Sequence, residues 1–182
     1  MSNKLVVSEA DSKKTHENDP LDPHLDSMQY VTFTLSDETY GITVENALEV
    51  VRMVKIAKPP NSPNYVAGLI NIRGKVAPIV DMRKRLKLGS SVYTLTTPIL
   101  IVVINGWTVG MIVDRVSEVV SIPRHVVEEP SETFTKSRCI SGVAKFDPKL
   151  IFLIELEKLF TSGEKQQMQD LIETKLPEKA LA

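Results

Sequence analysis

The sequence has one cysteine, few aromatic residues and no long hydrophobic run, and each shortage excludes a class of protein. Cys139 cannot form an internal disulfide, and with no second thiol nearby it cannot hold a metal ion alone. The longest unbroken apolar runs, such as Ile99–Ile104, are far below the roughly 18–20 residues needed to cross a bilayer. The start of the chain has no apolar stretch long enough for a signal peptide. These shortages predict a soluble protein of the reducing cytoplasm with no membrane insertion.

Excess charge of one sign is also lacking, because 22 Lys and Arg nearly balance 23 Asp and Glu. Such a balance gives no field that would draw the chain to nucleic acid or acidic membranes. Residues 1–27 are the exception, with six acids against three lysines and little apolar content, which predicts a disordered acidic tail. His16 and His24 lie in this tail, but their spacing matches no metal-ligand pattern, so we predict no metal site.

What the chain does contain is a series of short alternating apolar segments separated by turn signals. Val31–Leu35 and Tyr40–Val44 predict an antiparallel pair, and residues 45–51 predict a short turn that enters a strand. Asn105-Gly106 stands between two apolar runs and predicts a hairpin whose strands are buried on both faces or against a second sheet. Trp107, at the edge of that hairpin, either packs on a neighbouring strand or stacks on a ligand.

The segment Gly68–Asp81 predicts a further hairpin, with Arg73-Gly74 at the point where the chain reverses. A guanidinium held between two core strands is a candidate recognition group, and a solvated turn arginine is the alternative. Asp81 is then predicted to cap a helical turn that ends near Gly89. Its four basic residues are either a solvated face or a small nucleic-acid patch, although the stretch has no aromatic residue.

Two halves of the chain resemble each other. Residues 40–51 align with 109–120 at a shift of 69 positions, and residues 68–86 align with 142–160 at a shift of 74. Each half then carries about five short strands, too small a sheet to bury both faces unless it closes or packs on its twin. We therefore predict an all-β fold of two tandem five-stranded barrels, SH3-like or OB-like, over about residues 28–90 and 97–160.

In the C-terminal part the spacing of apolar residues changes from alternation to a helical repeat, which predicts a helix. Thr161 and Glu164 form a capping box before apolar residues that share one helical face, including Met168 and Leu171. Residues 163–182 are therefore predicted to form an amphipathic helix and tail that follow the domain of residues 28–162.

The motifs of both halves together resemble those of one protein family, the CheW family of bacterial chemotaxis coupling proteins. The similarity covers about residues 28–160. The segments that carry it are Tyr40–Ile42, Glu49–Val51, Gly68–Asp81 and Val109–Asp114.

The resemblance implies two five-stranded barrels, no catalytic activity and no cofactor. It implies that the chain is an adaptor that joins the histidine kinase CheA, through its regulatory domain, to the cytoplasmic tips of chemoreceptors at arrays on the inner face of the membrane. Arg73 matches the family's motif arginine, Glu49 its motif acid, and Gly68 a motif glycine of the receptor-facing surface. The resemblance also implies that Ala47 and Val119 fall at positions that in the family lie near receptor or kinase contacts.

Two other classes of protein compete with this interpretation. A barrel that binds single-stranded nucleic acid needs a basic groove with stacking aromatics, whereas aromatics are 5% of these residues. An enzyme needs a recognisable constellation, whereas His125 has no neighbouring acid or thiol in sequence and no nucleophile elbow or phosphate loop occurs. Within the CheW resemblance, the long tail and the C-terminal helix leave open a paralogue that serves twitching or gliding.

Overall fold

The computed structural model describes residues 26–89, 92–130, 138–146 and 149–173, which form a mostly β fold followed by a helix, as predicted. The strands are β1 (Ser27–Leu35), β2 (Glu38–Thr43), β3 (Ala47–Arg52), β4 (Val66–Ile72), β5 (Lys75–Asp81), β6 (Pro98–Ile104), β7 (Trp107–Ile112), β8 (Arg115–Pro123), β9 (Val127–Glu128), β10 (Ile140–Phe146) and β11 (Lys149–Ile154). The helices are α1 (Met82–Arg85) and α2 (Ser162–Glu173), and single 3₁₀ turns cover Val44–Asn46, Arg124–Val126 and Leu156–Lys158. The predicted tail lies outside the described residues as far as residue 25, as do residues 147–148.

The strands form two sheets. Sheet I has the order β8-β1-β2-β11-β10-β9, and sheet II has the order β3-β6-β7-β5-β4. Neighbouring strands are antiparallel except for the pairs β2–β11 and β5–β7, which are parallel. Each sheet therefore joins its two hairpins through one parallel contact.

The two halves of the chain exchange strands between the sheets. Sheet I takes β1 and β2 from the first half and β8, β9, β10 and β11 from the second. Sheet II takes β6 and β7 from the second half and β3, β4 and β5 from the first. The alignment of the halves makes β3 equivalent to β8 and the β4–β5 hairpin equivalent to the β10–β11 hairpin, so both sheets have the same order of equivalent strands. The structure thus differs from the predicted assignment of residues 28–90 and 97–160 to separate barrels.

The prediction of closed barrels is not confirmed, because the hydrogen-bonded order of each sheet is open. In sheet II the chain leaves the edge strand β3 and meets the opposite edge β4 only through a single bridge between Ala57 and Leu69. Pro59 and Pro60 follow this bridge, and a proline has no N–H to extend a ladder. Sheet I has the equivalent arrangement, in which the two-residue strand β9 follows β8 and pairs with β10.

The β6–β7 hairpin is buried on both faces, one of the two arrangements that its continuous apolar strands predicted. Along β6, Ile99 and Ile101 belong to a cluster inside sheet II, while Leu100 and Val102 belong to a core shared by the two sheets. Sheet I has its own inner cluster around Tyr30 and Leu153. Trp107 packs against the shared core, in agreement with the packing alternative of the sequence analysis. The described fold consequently has three apolar clusters. One is formed by side chains of sheet I, one by side chains of sheet II, and the third lies between the two sheets.

The basic run after β5 is mostly ion-paired. Asp81 caps α1 by accepting a hydrogen bond from the Lys84 N–H at 3.1 Å, and α1 ends at Arg85 rather than near Gly89. Arg83 donates to Asp114 at 2.7 Å, and Lys84 lies 3.7 Å from Asp81. Three of the four bases (Arg83, Lys84 and Arg85) thus have carboxylate partners, which argues against a nucleic-acid patch.

The C-terminal helix docks on the body through its first turn and one apolar face. Thr161 and Glu164 form the predicted capping box, with N···O distances of 2.8 and 3.3 Å. Met168 is buried in the shared core and Leu171 packs beside it. Arg85 holds the start of the helix, because its guanidinium donates to both carboxylate oxygens of Glu164 at 3.1 Å.

Candidate partner-binding surface

The turn between β4 and β5 presents Arg73 to solvent in a fixed backbone conformation. Ile72 pairs with Lys75, so Arg73 and Gly74 are the two residues of the loop, and both have the positive φ that a type I′ turn requires (50° and 83°). The Asn71 side chain accepts a hydrogen bond from the Gly74 N–H at 2.8 Å. The arginine is therefore exposed on a rigid hairpin end and not on a flexible loop.

Arg73 reaches across sheet II to Glu49. Its Nη2 donates to Glu49 Oε2 at 3.0 Å, with 80% of the arginine side chain and 32% of the glutamate side chain exposed. Since Glu49 lies on β3 and Arg73 follows β4, the ion pair joins the two opposite edges of the sheet. The structure thus brings together Arg73 and Glu49, two of the residues to which the resemblance gave a partner-binding role.

Exposed apolar side chains flank Glu49 along the same strand. Leu48 is 56% exposed and Val50 is 49% exposed, whereas Ala47, at the start of β3, is half-buried against the shared core. A β-bulge separates Ala47 from Glu49 and changes which face each residue presents. The edge strand therefore combines a charged pair with apolar groups, as protein-binding surfaces commonly do.

Gly68 lies beneath this surface rather than on it. It is buried at a second bulge, with a φ of 152°, directly under the segment that crosses from β3 to β4. A Cβ at this position would lie 2.5 Å from the Ile56 side chain and 2.9 Å from the Ala57 carbonyl carbon, and closer still to the Ala57 oxygen. The structure thus gives Gly68 a packing role, and direct contact with a partner stays a prediction.

Val119 lies in the other sheet, on the edge strand β8, where it is 57% exposed. The alignment of the two halves makes Val119 equivalent to Val50, and both are exposed on equivalent edge strands. The structure does not bring Val119 into the Arg73–Glu49 pair. It instead defines a second apolar edge related to the first by the internal repeat.

The sequence analysis did not single out Leu48 and Val50. Their exposure follows from the position of β3 at the edge of sheet II, which a local pattern of apolar residues does not reveal. The available signal was the repeat itself, because Val119 was already a candidate and Val50 is its equivalent.

Three of the shifted pKa values fall on buried or partly buried groups with structural contacts. Burial and a hydrogen bond to Asp81 raise the pKa of Tyr93, and burial raises the pKa of the Cys139 thiol. Burial, together with the nearby Glu164 charge, raises the pKa of Tyr65 to about 12.

Within the described ranges no group of three His, Cys, Asp or Glu side chains is arranged to hold a metal ion. Neither helix in the part of the chain that is described has the length and hydrophobicity of a membrane span.

The exchanged sheets and the exposed ion pair beside apolar edge residues define a β-rich protein-interaction module. Residues 29–164 match the family model of the CheW-like domain. The chain therefore belongs to the CheW-like family, which confirms the resemblance found in the sequence.

Individual relatives agree with this assignment. The chain is 28% identical over 162 residues to a chemotaxis protein CheW of Treponema pallidum, with 86% of this chain and 95% of that protein covered. It is 27% identical over 160 residues to the Helicobacter pylori protein of the same name, with 87% and 97% covered. Its structure is similar to that of the scaffolding protein TtCheW from Thermoanaerobacter tengcongensis, with a TM-score of 0.69, 37% identity and coverage of 75% and 95%. The prediction of a chemotaxis coupling protein is confirmed at the level of the family.

Proposed function

We propose that this chain is a non-catalytic adaptor that couples the cytoplasmic tips of chemoreceptors to the regulatory domain of the histidine kinase CheA. It acts at receptor arrays on the inner face of the membrane. The Arg73–Glu49 surface on sheet II is its receptor-binding site.

The observation that carries this proposal is the exposed ion pair on a rigid turn. A pair as exposed as Arg73 and Glu49 adds only about 0–1 kcal/mol to stability, so the fold gains little from it. Its fixed geometry favours recognition instead, since a guanidinium on a type I′ turn loses little conformational freedom when it binds. Leu48 and Val50 supply the apolar area beside it.

The kinase has its own CheW-like domain, and the internal repeat suggests how it binds. Sheets I and II present equivalent edge strands, with Val119 and Val50 at equivalent positions. A partner of the same fold can therefore meet one edge in a pseudo-symmetric arrangement while the other stays free for the receptor. Signalling interfaces of this kind bury roughly 1,200–2,000 Å² in total.

Affinity capture from cell extract tests the receptor site with Arg73→Asp. Aspartate tolerates positive φ, so the turn should keep its conformation and the variant should fold. We expect wild type to recover a histidine kinase and chemoreceptors, and the variant to lose the receptors. The matched control is Arg124→Asp, which also reverses an arginine in an exposed ion pair, that with Asp26.

A charge-swapped variant distinguishes recognition of the receptor by Arg73 from structural support of the sheet by the ion pair. The double variant Arg73→Glu with Glu49→Arg restores an ion pair of opposite polarity between the two sheet edges. If the pair only braces the sheet, receptor recovery returns; if Arg73 contacts the receptor, recovery stays low. Unchanged recovery by Arg73→Asp would remove this residue from the binding site.

A further inference from the structure

A cleft of about 420 Å³ lies where α1, the start of β10 and the beginning of α2 meet. Among the described residues, its lining contains four basic side chains and no acidic one, together with two leucines, of which Leu86 is partly exposed and Leu159 is buried. These six residues are Arg85, Lys87, Arg138, Lys158, Leu86 and Leu159. The cleft is on a different part of the surface from the Arg73 turn and is not used by the proposed coupling function.

Two of the four bases keep an unbalanced charge. Arg85 pairs with Glu164 and Lys158 pairs with Glu155, at 3.1 and 2.7 Å. Lys87 and Arg138 are exposed, and within the described ranges neither forms an ion pair. The cleft therefore has two free positive charges next to apolar surface, which fits a ligand with several carboxylates and a few apolar groups.

The chain itself contains a segment of this chemistry. Residues 15–25 read Thr-His-Glu-Asn-Asp-Pro-Leu-Asp-Pro-His-Leu, with three acids, two leucines and no lysine or arginine. The acids complement the charges of Lys87 and Arg138, and the leucines match the apolar surface of the cleft, which includes the partly exposed Leu86. Charge and apolar content thus agree on both sides of the proposed contact.

The sheet topology places the attachment point of this segment near the cleft. β1 starts beside the end of β2, because Tyr30 pairs with Thr43, and β2 runs parallel to β11. β11 ends at Ile154, just before the turn that contributes Lys158 to the cleft. The starting end of β1 and the cleft side of β11 are two strand spacings apart, roughly 10 Å. Ten residues reach about 33 Å when extended, so the segment spans this distance easily.

We propose that the acidic segment of residues 15–25 docks in this basic cleft and occupies it as an intramolecular ligand. The linkage makes the local concentration of the segment about millimolar, so weak individual contacts suffice. The interaction should weaken with salt, because its free charges are exposed.

Carbodiimide crosslinking of the full chain tests this proposal directly. The reagent joins carboxylates to amines in contact, so Glu17, Asp19 and Asp22 should crosslink to Lys87 and Lys158. Lys55 and Lys145 serve as reference amines outside the cleft. We expect the crosslinks at the cleft to fall about fivefold or more in 0.5 M salt, since the Debye length then drops to a few ångströms. Equal yields at the reference amines would overturn the proposal.

Charge reversal in the cleft provides the matched variant. Arg138→Glu should reduce tail crosslinks to Lys87 by about fivefold or more, because it replaces an attraction with a repulsion. Arg52→Glu reverses an exposed arginine on β3, outside the cleft, and should leave the yield unchanged. The proposal is overturned if both variants behave alike. It is also overturned if a mixture of isotopically heavy and light chains shows crosslinks mainly between molecules, since the ligand is then a second copy.

Discussion

At the scale of the single residue, Gly68 is a position where neighbouring backbone leaves no room for a side chain. The backbone of Ala57 crosses directly over it, and its φ of 152° lies where residues with a Cβ are strained. We expect Gly68→Ala to lower the free energy of unfolding by about 2–4 kcal/mol, because backbone and not a flexible side chain must move. Gly74 also has a positive φ, but a Cβ added there would have no neighbour within 4 Å. Gly74→Ala should therefore lower the free energy of unfolding by only about 1 kcal/mol. Urea denaturation of both variants measures the difference, and equal losses would show that the crossing segment yields freely.

The ionisation of Asp114 links stability to pH at the acid end of the range. Burial raises its pKa, but hydrogen bonds from Arg83 and from the Ser36 N–H, together with the arginine's charge, outweigh burial and bring the pKa below its usual value. Stability from a lowered carboxyl pKa is fully present above the unfolded value of about 4 and is lost as the pH falls through the folded value. Asp114→Asn should therefore be less stable than wild type at pH 7, and the gap should narrow from about pH 4 downward. Urea unfolding at several pH values checks this, with Asp26→Asn as the control in an exposed pair. A gap that stays constant with pH would contradict it.

At the scale of the element, most hairpins are predictable because their signals are local. Asn105-Gly106 and Arg73-Gly74 take the positive φ values of type I′ turns, and Asp81 caps its helix as its position predicted. The sequence alone predicted neither β9 nor the 3₁₀ turn before it. A two-residue strand exists only because β10 lies beside it, and no local pattern encodes that neighbour.

The C-terminal helix is held mainly by one partly buried ion pair and one buried methionine. A 12-residue helix is marginal in water by itself, so α2 depends on these contacts. We expect Glu164→Gln to speed amide hydrogen exchange throughout α2, because it weakens both the capping box and the contact with Arg85. Exchange in the sheets should stay unchanged. The matched control is Glu173→Gln at the exposed end of the same helix, and equal exchange in both variants would show that the Arg85 contact does not hold the helix.

At the scale of the whole molecule, the internal repeat was visible in the sequence but the exchange of strands was not. Val50 and Val119 occupy equivalent edges, and each half has the same local pattern of strands. Pairing β2 with β5 in one half, or with β11 of the other, satisfies that pattern equally well. The choice depends on packing of whole sheets, such as the core that Leu100 shares with Phe152, and this is not encoded by any single segment.

The exchange makes each half dependent on the other. A chain divided between residues 90 and 91 gives a first fragment with the β1–β2 and β4–β5 hairpins and a lone β3, and a second with the β6–β7 and β10–β11 hairpins and a lone β8. Isolated hairpins are marginal in water, so neither fragment should fold alone. Mixing should restore both sheets in a 1:1 complex, measured by circular dichroism and a single cooperative thermal transition. A chain that is folded first and then cut at the same place should stay assembled. Cooperative unfolding of either isolated fragment would contradict this dependence, because it would require a stable sheet built from one half.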